Sequence, residues 1–472
     1  MKHPRSKGLC GSLAGGVASI ALLACFHPVG NSGTDASVGT GTTADSTADS
    51  TSTTAAPTST STATAATTAA DPTMDPTTSD STGGSVCGAC EGDTPHCDVM
   101  RGQCVACLEA SDCLAAEAPI CDGGQCRGCR EHAECGDTAC ELDVGNCFPP
   151  TAKQLAVLPG SPGCDNPSCS LEKPCCSVAQ ALASKPGIPY IVVHLMPGPN
   201  DTQDNEVIEI VGEGLRIAIL GSGMPRLTGV MGTAPVVWLN EKITKTSKLF
   251  LAGVVIDSAA GGAAISCSNG KTLWLDDSPI TKGVNTGLFV SNCGATVRRG
   301  YLVKNGNGMT VADNGRATLI NSFVGASTAE EVLVTANGVL VANYSTIVHA
   351  GGMPLVHCAG DAKSEIRNSA LITSPPGPGA VDCTDITLQL DHSVVSENAA
   401  VSLGVGNVAI SMPNEATDPF TNFDGLDWRV AGDGAKLKDV ALWEIGDPPT
   451  DYDGTARPTV NSTPDVAGAD RN

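Results

Sequence analysis

Leu273-Trp274-Leu275-Asp276-Asp277-Ser278 sets apolar side chains at alternate positions, then a polar pair, then a small residue, and the same figure returns down the second half of the chain. It recurs as Val297-Arg298-Arg299-Gly300, Leu319-Ile320-Asn321-Ser322, Val341-Ala342-Asn343-Tyr344-Ser345, Ile366-Arg367-Asn368-Ser369 and Leu390-Asp391-His392-Ser393. Counted from Asp277 through Arg299, Asn321, Asn343, Asn368 and His392, the steps are 22, 22, 22, 25 and 24 residues. A repeat of this length marks a solenoid. Each unit holds two or three short strands of period 2 and is too small to bury its own apolar face, so it must stack on the next.

A second column, Asn269-Gly270, Cys293-Gly294, Asn314-Gly315 and Asn337-Gly338, places a turn that tolerates positive φ at one corner of every coil. Stacked asparagines there and at Asn321, Asn343 and Asn368 are expected to bond along the axis as ladders. Cys267 and Cys293 are 26 residues apart and Cys358 and Cys383 are 25 apart, about one coil in each case. Stacked strands lie about 4.8 Å apart, within disulfide reach, so both pairs are expected to bridge neighbouring coils. Cys164, Cys169, Cys175 and Cys176 are expected to pair among themselves, and about ten coils would make a rod roughly 50 Å long.

Ahead of the repeats, Lys173-Pro174-Cys175-Cys176-Ser177-Val178-Ala179-Gln180-Ala181-Leu182 reads as a short helix with proline in its first turn. Ile188 to Gly198 and Leu215 to Gly221 follow as strands. This order, a short helix and then strand repeats, resembles the right-handed parallel β-helix proteins of the pectate-lyase-like class. That resemblance implies an all-β coil over residues 151–400, capped by the helix. Asp418-Pro419-Phe420, Asp427-Trp428-Arg429-Val430, Asp451 to Pro458 and Asp465 to Asp470 look like the closing segment of secreted bacterial β-helix proteins, which implies that residues 401–472 seal the last coils.

The chain opens with Lys2, Arg5 and Lys7 and an apolar run from Leu9 to Ala24 that is 16 residues long. A membrane-spanning helix needs roughly 20, so residues 1–24 read as a secretory signal. Leu22-Leu23-Ala24-Cys25 resembles the lipobox of bacterial lipoproteins, which implies lipidation of Cys25 and, with Phe26 following, delivery to the outer membrane. Residues 25–86 form a tether, since half of the stretch from Asn31 to Val86 is serine and threonine. Such a composition cannot offset its ordering entropy by burial, and is expected to be disordered with a reach of roughly 40 to 45 Å.

The chain has 22 cysteines; Cys10 leaves with the signal and Cys25 is the lipid site, so 20 remain to pair. Twelve of them fall between Cys87 and Cys147. Zinc held by the C-x-x-C pairs with His96 or His132 is the reading a reducing compartment would favour; the signal favours disulfides in a module at residues 87–150. Cys104-Val-Ala-Cys107-Leu-Glu-Ala-Ser-Asp112-Cys113, continuing to Cys121-Asp-Gly-Gly-Gln-Cys126, resembles the small cysteine-rich repeats of myxobacterial surface proteins, which implies a spacer or binding module.

Pectate lyases abstract a proton with arginine or lysine beside calcium-binding aspartates, and polygalacturonases use clustered aspartates. The latter's Asn-Thr-Asp, Gly-His-Gly and Arg-Ile-Lys are missing, and Asn285-Thr286-Gly287 lacks the acid. If the chain is an enzyme, its candidates are Asp276, Asp277, Arg298 and Arg299, one coil apart, as acid pair and basic pair. The bland alternative is a cross-coil ion pair on a solvated face. His194, His349, His357 and His392 show no metal spacing, and Asp451-Tyr452-Asp453-Gly454 hints at calcium without a closing glutamate, so no cofactor is expected. A net charge of −23 excludes nucleic acid and disfavours acidic polysaccharide unless calcium bridges it. With aromatics at 3% of residues, no sugar-stacking platform is evident. The expectation is a monomeric, non-catalytic surface lipoprotein for adhesion, ligand binding or envelope scaffolding, with carbohydrate or another surface protein as partner and the membrane touched only through its lipid; the alternative is a polysaccharide lyase or glycoside hydrolase on the same coil.

Overall fold

In a computed structural model of the chain, residues 87–471 are described, apart from 185–186, 230–231, 233, 241–245, 258–261, 350–352, 375–379, 384–387, 397–403, 411–417 and 433. The signal peptide, Cys25 and the tether lie outside the described residues. From Lys153 onward the chain winds as a parallel β-helix with three sheets, of twelve, nine and eight strands. One coil runs from the first sheet (Lys248–Ala252) to the second (Val255–Asp257), to the third (Ala263–Ser268), and back to the first at Thr272–Asp276. Every step between coils in the first sheet is a parallel pairing in register, as Leu251 on Leu275 and Leu275 on Val297. Among the described residues the third sheet has eight strands, which makes eight complete coils where the repeat count suggests ten.

Alternation builds the interior. Leu251, Leu275, Val297, Leu319, Ala342, Ile366 and Leu390 stack one above another, all fully buried. Each larger aliphatic side chain removed from water in this way contributes about 1.5–3 kcal/mol. The strands end on a residue in the left-handed region: Asp277, Arg299, Asn321, Tyr344, Asn368 and His392 have φ between 46° and 54°. Tyr344, not Asn343, holds that place, because Asn343 is still in the ladder opposite Ile320 and Arg367.

One residue further on lies a buried column: Ser278, Gly300, Ser322, Ser345, Ser369 and Ser393. Each serine hydroxyl donates to the carbonyl two residues back, at 2.9 Å in Ser278 and 2.8 Å in Ser322 and Ser369. Each also accepts a backbone N–H from the preceding coil where one is supplied, as Gly300 donates to Ser322 and Ser369 to Ser393. The turn can therefore be buried without orphaning its polar groups.

The asparagines do less along the axis than their spacing suggests. Asn269 donates to Asn240, and Asn368 reaches Asn343 at 3.4 Å, but Asn321 and Asn343 donate to Thr450 and Asp447 of the C-terminal segment. In the Asn-Gly corners at 314 and 337 positive φ sits on the asparagine. Gly315 and Gly338 are required for space, since a Cβ would stand 2.5 Å from the carbonyl oxygens of Val290 and Val311.

The helix spans Val178–Ala183, and Ser177 is its N-cap, accepting from the Gln180 N–H. Pro174 is not in its first turn but in the strand Lys173–Cys175, which pairs with Val157 and is disulfide-bonded through Cys175. Disulfides join Cys164 to Cys176, Cys169 to Cys175, Cys267 to Cys293 and Cys358 to Cys383. The Cys267–Cys293 bridge closes 26 residues, so chain entropy alone gives it about 3.5 kcal/mol. Replacing both cysteines by serine is expected to lower the denaturant midpoint accordingly; an unchanged midpoint would show that sheet pairing alone holds the coils.

Three units make up the cysteine module, each with one two-stranded hairpin and first-to-third, second-to-fourth pairing. The bonds are Cys87–Cys97 and Cys90–Cys104, Cys107–Cys121 and Cys113–Cys126, Cys129–Cys140 and Cys135–Cys147. These twelve sulfurs hold one another, which leaves no thiolate for zinc. The third unit packs on the outside of the first sheet, where Leu142 and Phe148 join Val192, Ala218 and Phe250 in one apolar cluster, with Trp274 at its edge. The same outward column turns polar at Thr296 and Thr318, and reaches Glu365 and Gln389 near its end.

The C-terminal segment runs along the side of the coil. Phe420, Trp428, Trp443 and Val466 pack against the outward residues Phe323, Val348, Ile372 and Val394 of the second sheet. Within residues 401–472, Val408–Ile410 adds a strand beside Val394–Ser396 of the last coil, and the rest lays its apolar residues along a flank, where the coil's outward residues are apolar.

Candidate functional site

The two covers meet the coil at the residues the repeat singled out. Asp276 ends one strand of the first sheet and Arg298 the next, directly opposite in register. Arg299 occupies the left-handed turn, which swings its side chain to the same carboxylate. Arg298 donates to Asp276 through Nε at 3.0 Å and Nη2 at 2.6 Å, and Arg299 does the same at 3.0 and 2.6 Å. One buried carboxylate is thus gripped by two planar forks, the strongest hydrogen-bond geometry such groups have. Burial opposes ionisation of Asp276, but the two guanidiniums outweigh it and hold its carboxyl below the usual range.

Glu131 of the cysteine module completes the cluster, accepting from Arg299 at 3.2 and 3.3 Å. At the opposite ends of the first-sheet strands, Glu141 accepts from Arg216 at 3.1 Å and from Lys248 at 2.5 Å, a second tie between module and coil. Asp277 does not join the clamp: its carboxylate is exposed and accepts no hydrogen bond among the described residues. Burial, then Asp276 and Glu131, raise its pKa against the pull of Arg299.

His132 sits under this network, its Nδ1 accepting from the Cys140 N–H and its ring edge-on to Phe250. Burial pushes its pKa down to about 4; Asp276 pulls the other way and Arg298 adds to the fall. Because the folded value lies below the unfolded one, neutral His132 contributes stability fully present above about pH 6.5 and lost as pH falls towards 4. The slope this gives to stability across that window, about 3 kcal/mol in total, is expected to vanish in His132→Phe in a pH series of denaturant melts. A slope retained in the variant would assign it to other groups.

The other strand histidines each have a partner of their own. His194 bonds Gln154 at 2.8 Å, His349 bonds the buried Glu331 at 2.7 Å and His357 lies 3.3 Å from Glu330. The calcium hint at Asp451 is a capped turn: its carboxylate accepts the N–H groups of Thr455 and Arg471.

A cleft of about 300 Å³ opens between the second sheet and the C-terminal segment, lined by Tyr301, Phe323, Leu426, Asp427, Trp428, Arg429, Tyr452 and Asp453. Phe323 and Trp428 are buried in its floor, while Tyr301 and Tyr452 are half-buried in its walls. The Tyr301 hydroxyl donates to the Leu426 carbonyl, and Arg429 donates to Asp427 at 2.8 and 2.7 Å. Burial, then Asp277 and Asp453, push Tyr452 up to about 12, so its phenol keeps its proton. This cleft was not legible in overall composition. Its signal is local: Tyr301 and Phe323 face each other on adjacent coils, at the point where the outward column turns aromatic.

A family of unknown function, DUF8331, matches residues 42–153, which include the cysteine module. No curated protein matches the chain. Among solved structures, the crystal structure of pectate lyase Pel9A is similar at 15% identity and a TM-score of 0.40, over 68% of this chain and 97% of that one.

Proposed function

We propose that this protein is a non-catalytic β-helix displayed at the cell surface, where it binds or organises rather than transforms its partner. The saturation of Asp276 carries this reading. A general base or calcium ligand needs a free lone pair, and both oxygens of this carboxylate already accept two guanidinium bonds each. Ten disulfides fit an oxidising, extracytoplasmic setting, and a lipid on Cys25 of an outer-membrane lipoprotein would anchor the chain there through its serine- and threonine-rich tether. The alternative is a carbohydrate-active lyase or hydrolase, for which Asp277 is the acid left free.

The test is release of new reducing ends from neutral and acidic polysaccharides, with and without calcium, by the oxidised protein. None is expected. Release that disappears in Asp277→Ala would make the protein an enzyme and seat its chemistry beside the clamp.

A further inference from the structure

We infer that the cleft between the second sheet and the C-terminal segment is a binding site for a neutral pyranose unit of a glycan. Its apolar surface is aromatic: Tyr452 packs edge-on to Phe323 with ring centroids 4.8 Å apart, and Tyr301 lies 5.8 Å from Trp428. The half-buried tyrosines leave ring surface open for the C–H face of a sugar, and a cleft of about 300 Å³ sits at the small end of ligand pockets.

Polar groups converge on the same space. The Tyr452 hydroxyl and the Asp453 carboxylate make no hydrogen bond among the described residues. Arg429 uses Nε and Nη2 on Asp427 and points Nη1 towards Asp453, 3.9 Å away. This rim therefore offers a donor and an acceptor side by side. Sugar hydroxyls, which donate and accept at once, match that pairing. The charges choose among sugars: Asp427 and Asp453 outnumber Arg429, with Asp277 close enough to act on Tyr452, so a uronic acid would be repelled. An aromatic lining with net negative charge would also suit a quaternary ammonium, but that ligand has no hydroxyls to use the Arg429 donor and Asp453 acceptor, so choline is the competing probe.

This rests on the binding reading above, and the experiment separates the two. Calorimetric titration of the oxidised protein with cellotetraose, maltotetraose, tetragalacturonate and choline is expected to show binding of a neutral tetrasaccharide only. Arg429→Ala and Asp453→Asn, whose side chains are exposed, should keep the thermal midpoint and weaken that binding on the order of tenfold. No heat from either neutral probe, equal affinity in both variants, or preference for tetragalacturonate or choline would each overturn the assignment. Reducing-end release that persists in Arg429→Ala would overturn the non-catalytic reading alone.

Discussion

Replacing Arg457 by methionine is expected to destabilise the protein by about 3–5 kcal/mol and to loosen the C-terminal segment from the coil. The guanidinium is fully buried and pairs with the equally buried Asp465 at 3.0 Å. It also donates to Asn321 Oδ1, the Gly468 carbonyl and the Ala469 carbonyl at 3.2, 3.1 and 3.3 Å, and lies 3.7 Å from the centre of the Tyr344 ring. Removal would leave the buried Asp465 carboxylate with Arg471 as its one remaining cation, strand the carbonyls of Gly468 and Ala469, and open the face of a tyrosine already held in a left-handed turn. Lysine should rescue little, because one ammonium on a flexible stem cannot reproduce a planar fork with several acceptors. Denaturant melts read by tryptophan fluorescence follow this well, since Trp428 and Trp443 belong to the segment. A loss below about 1 kcal/mol would mean that apolar packing alone fixes the cover.

Asp276→Ala is the second large effect, expected at about 3 kcal/mol and centred on the cysteine module. The change leaves Arg298 and Arg299 facing each other without their shared anion, with Glu131 and the exposed Asp277 as the remaining acids. Hydrogen exchange in Cys129 to Phe148 should accelerate, because Arg299 loses the carboxylate that aims it at Glu131, while the Glu141 tie is untouched. Replacing Asp276, Arg298 and Arg299 together by leucine and methionines should cost less than removing the acid alone, as no buried charge is then left unpaired. If the triple replacement proves the more damaging, the network contributes net attraction beyond cancelling its own desolvation.

The coil was legible because its two signals are local. Alternation gives the inward column, and the 22-residue step by itself puts Asp276 next to Arg298. The step from Asn321 misplaced one residue: the eye follows asparagine to Asn343, whereas backbone pairing carries the turn to Tyr344. The covers were harder. Glu131 lies 168 residues from Arg299, and nothing in periodicity connects them. The clue lay in the outward column, where Val192, Ala218, Phe250 and Trp274 give way to Thr296, but these residues align only after the register is known. The aromatic cleft was missed for the same reason: Tyr452 and Trp428 come to Tyr301 from a segment that carries no repeat.

Solenoids ordinarily gain and lose coils freely, since each contacts only its neighbours. Here the cysteine module is seated from Val192 to Trp274 and the C-terminal segment from Tyr301 to Val394, and the two footprints adjoin at Asp276 and Arg299. An added coil between them would part Glu131 from Arg299 by a further strand spacing of about 4.8 Å, and one added within either footprint would slide apolar residues out from under their cover. The covers act as a gauge, and the length of this rod is set by what lies along it.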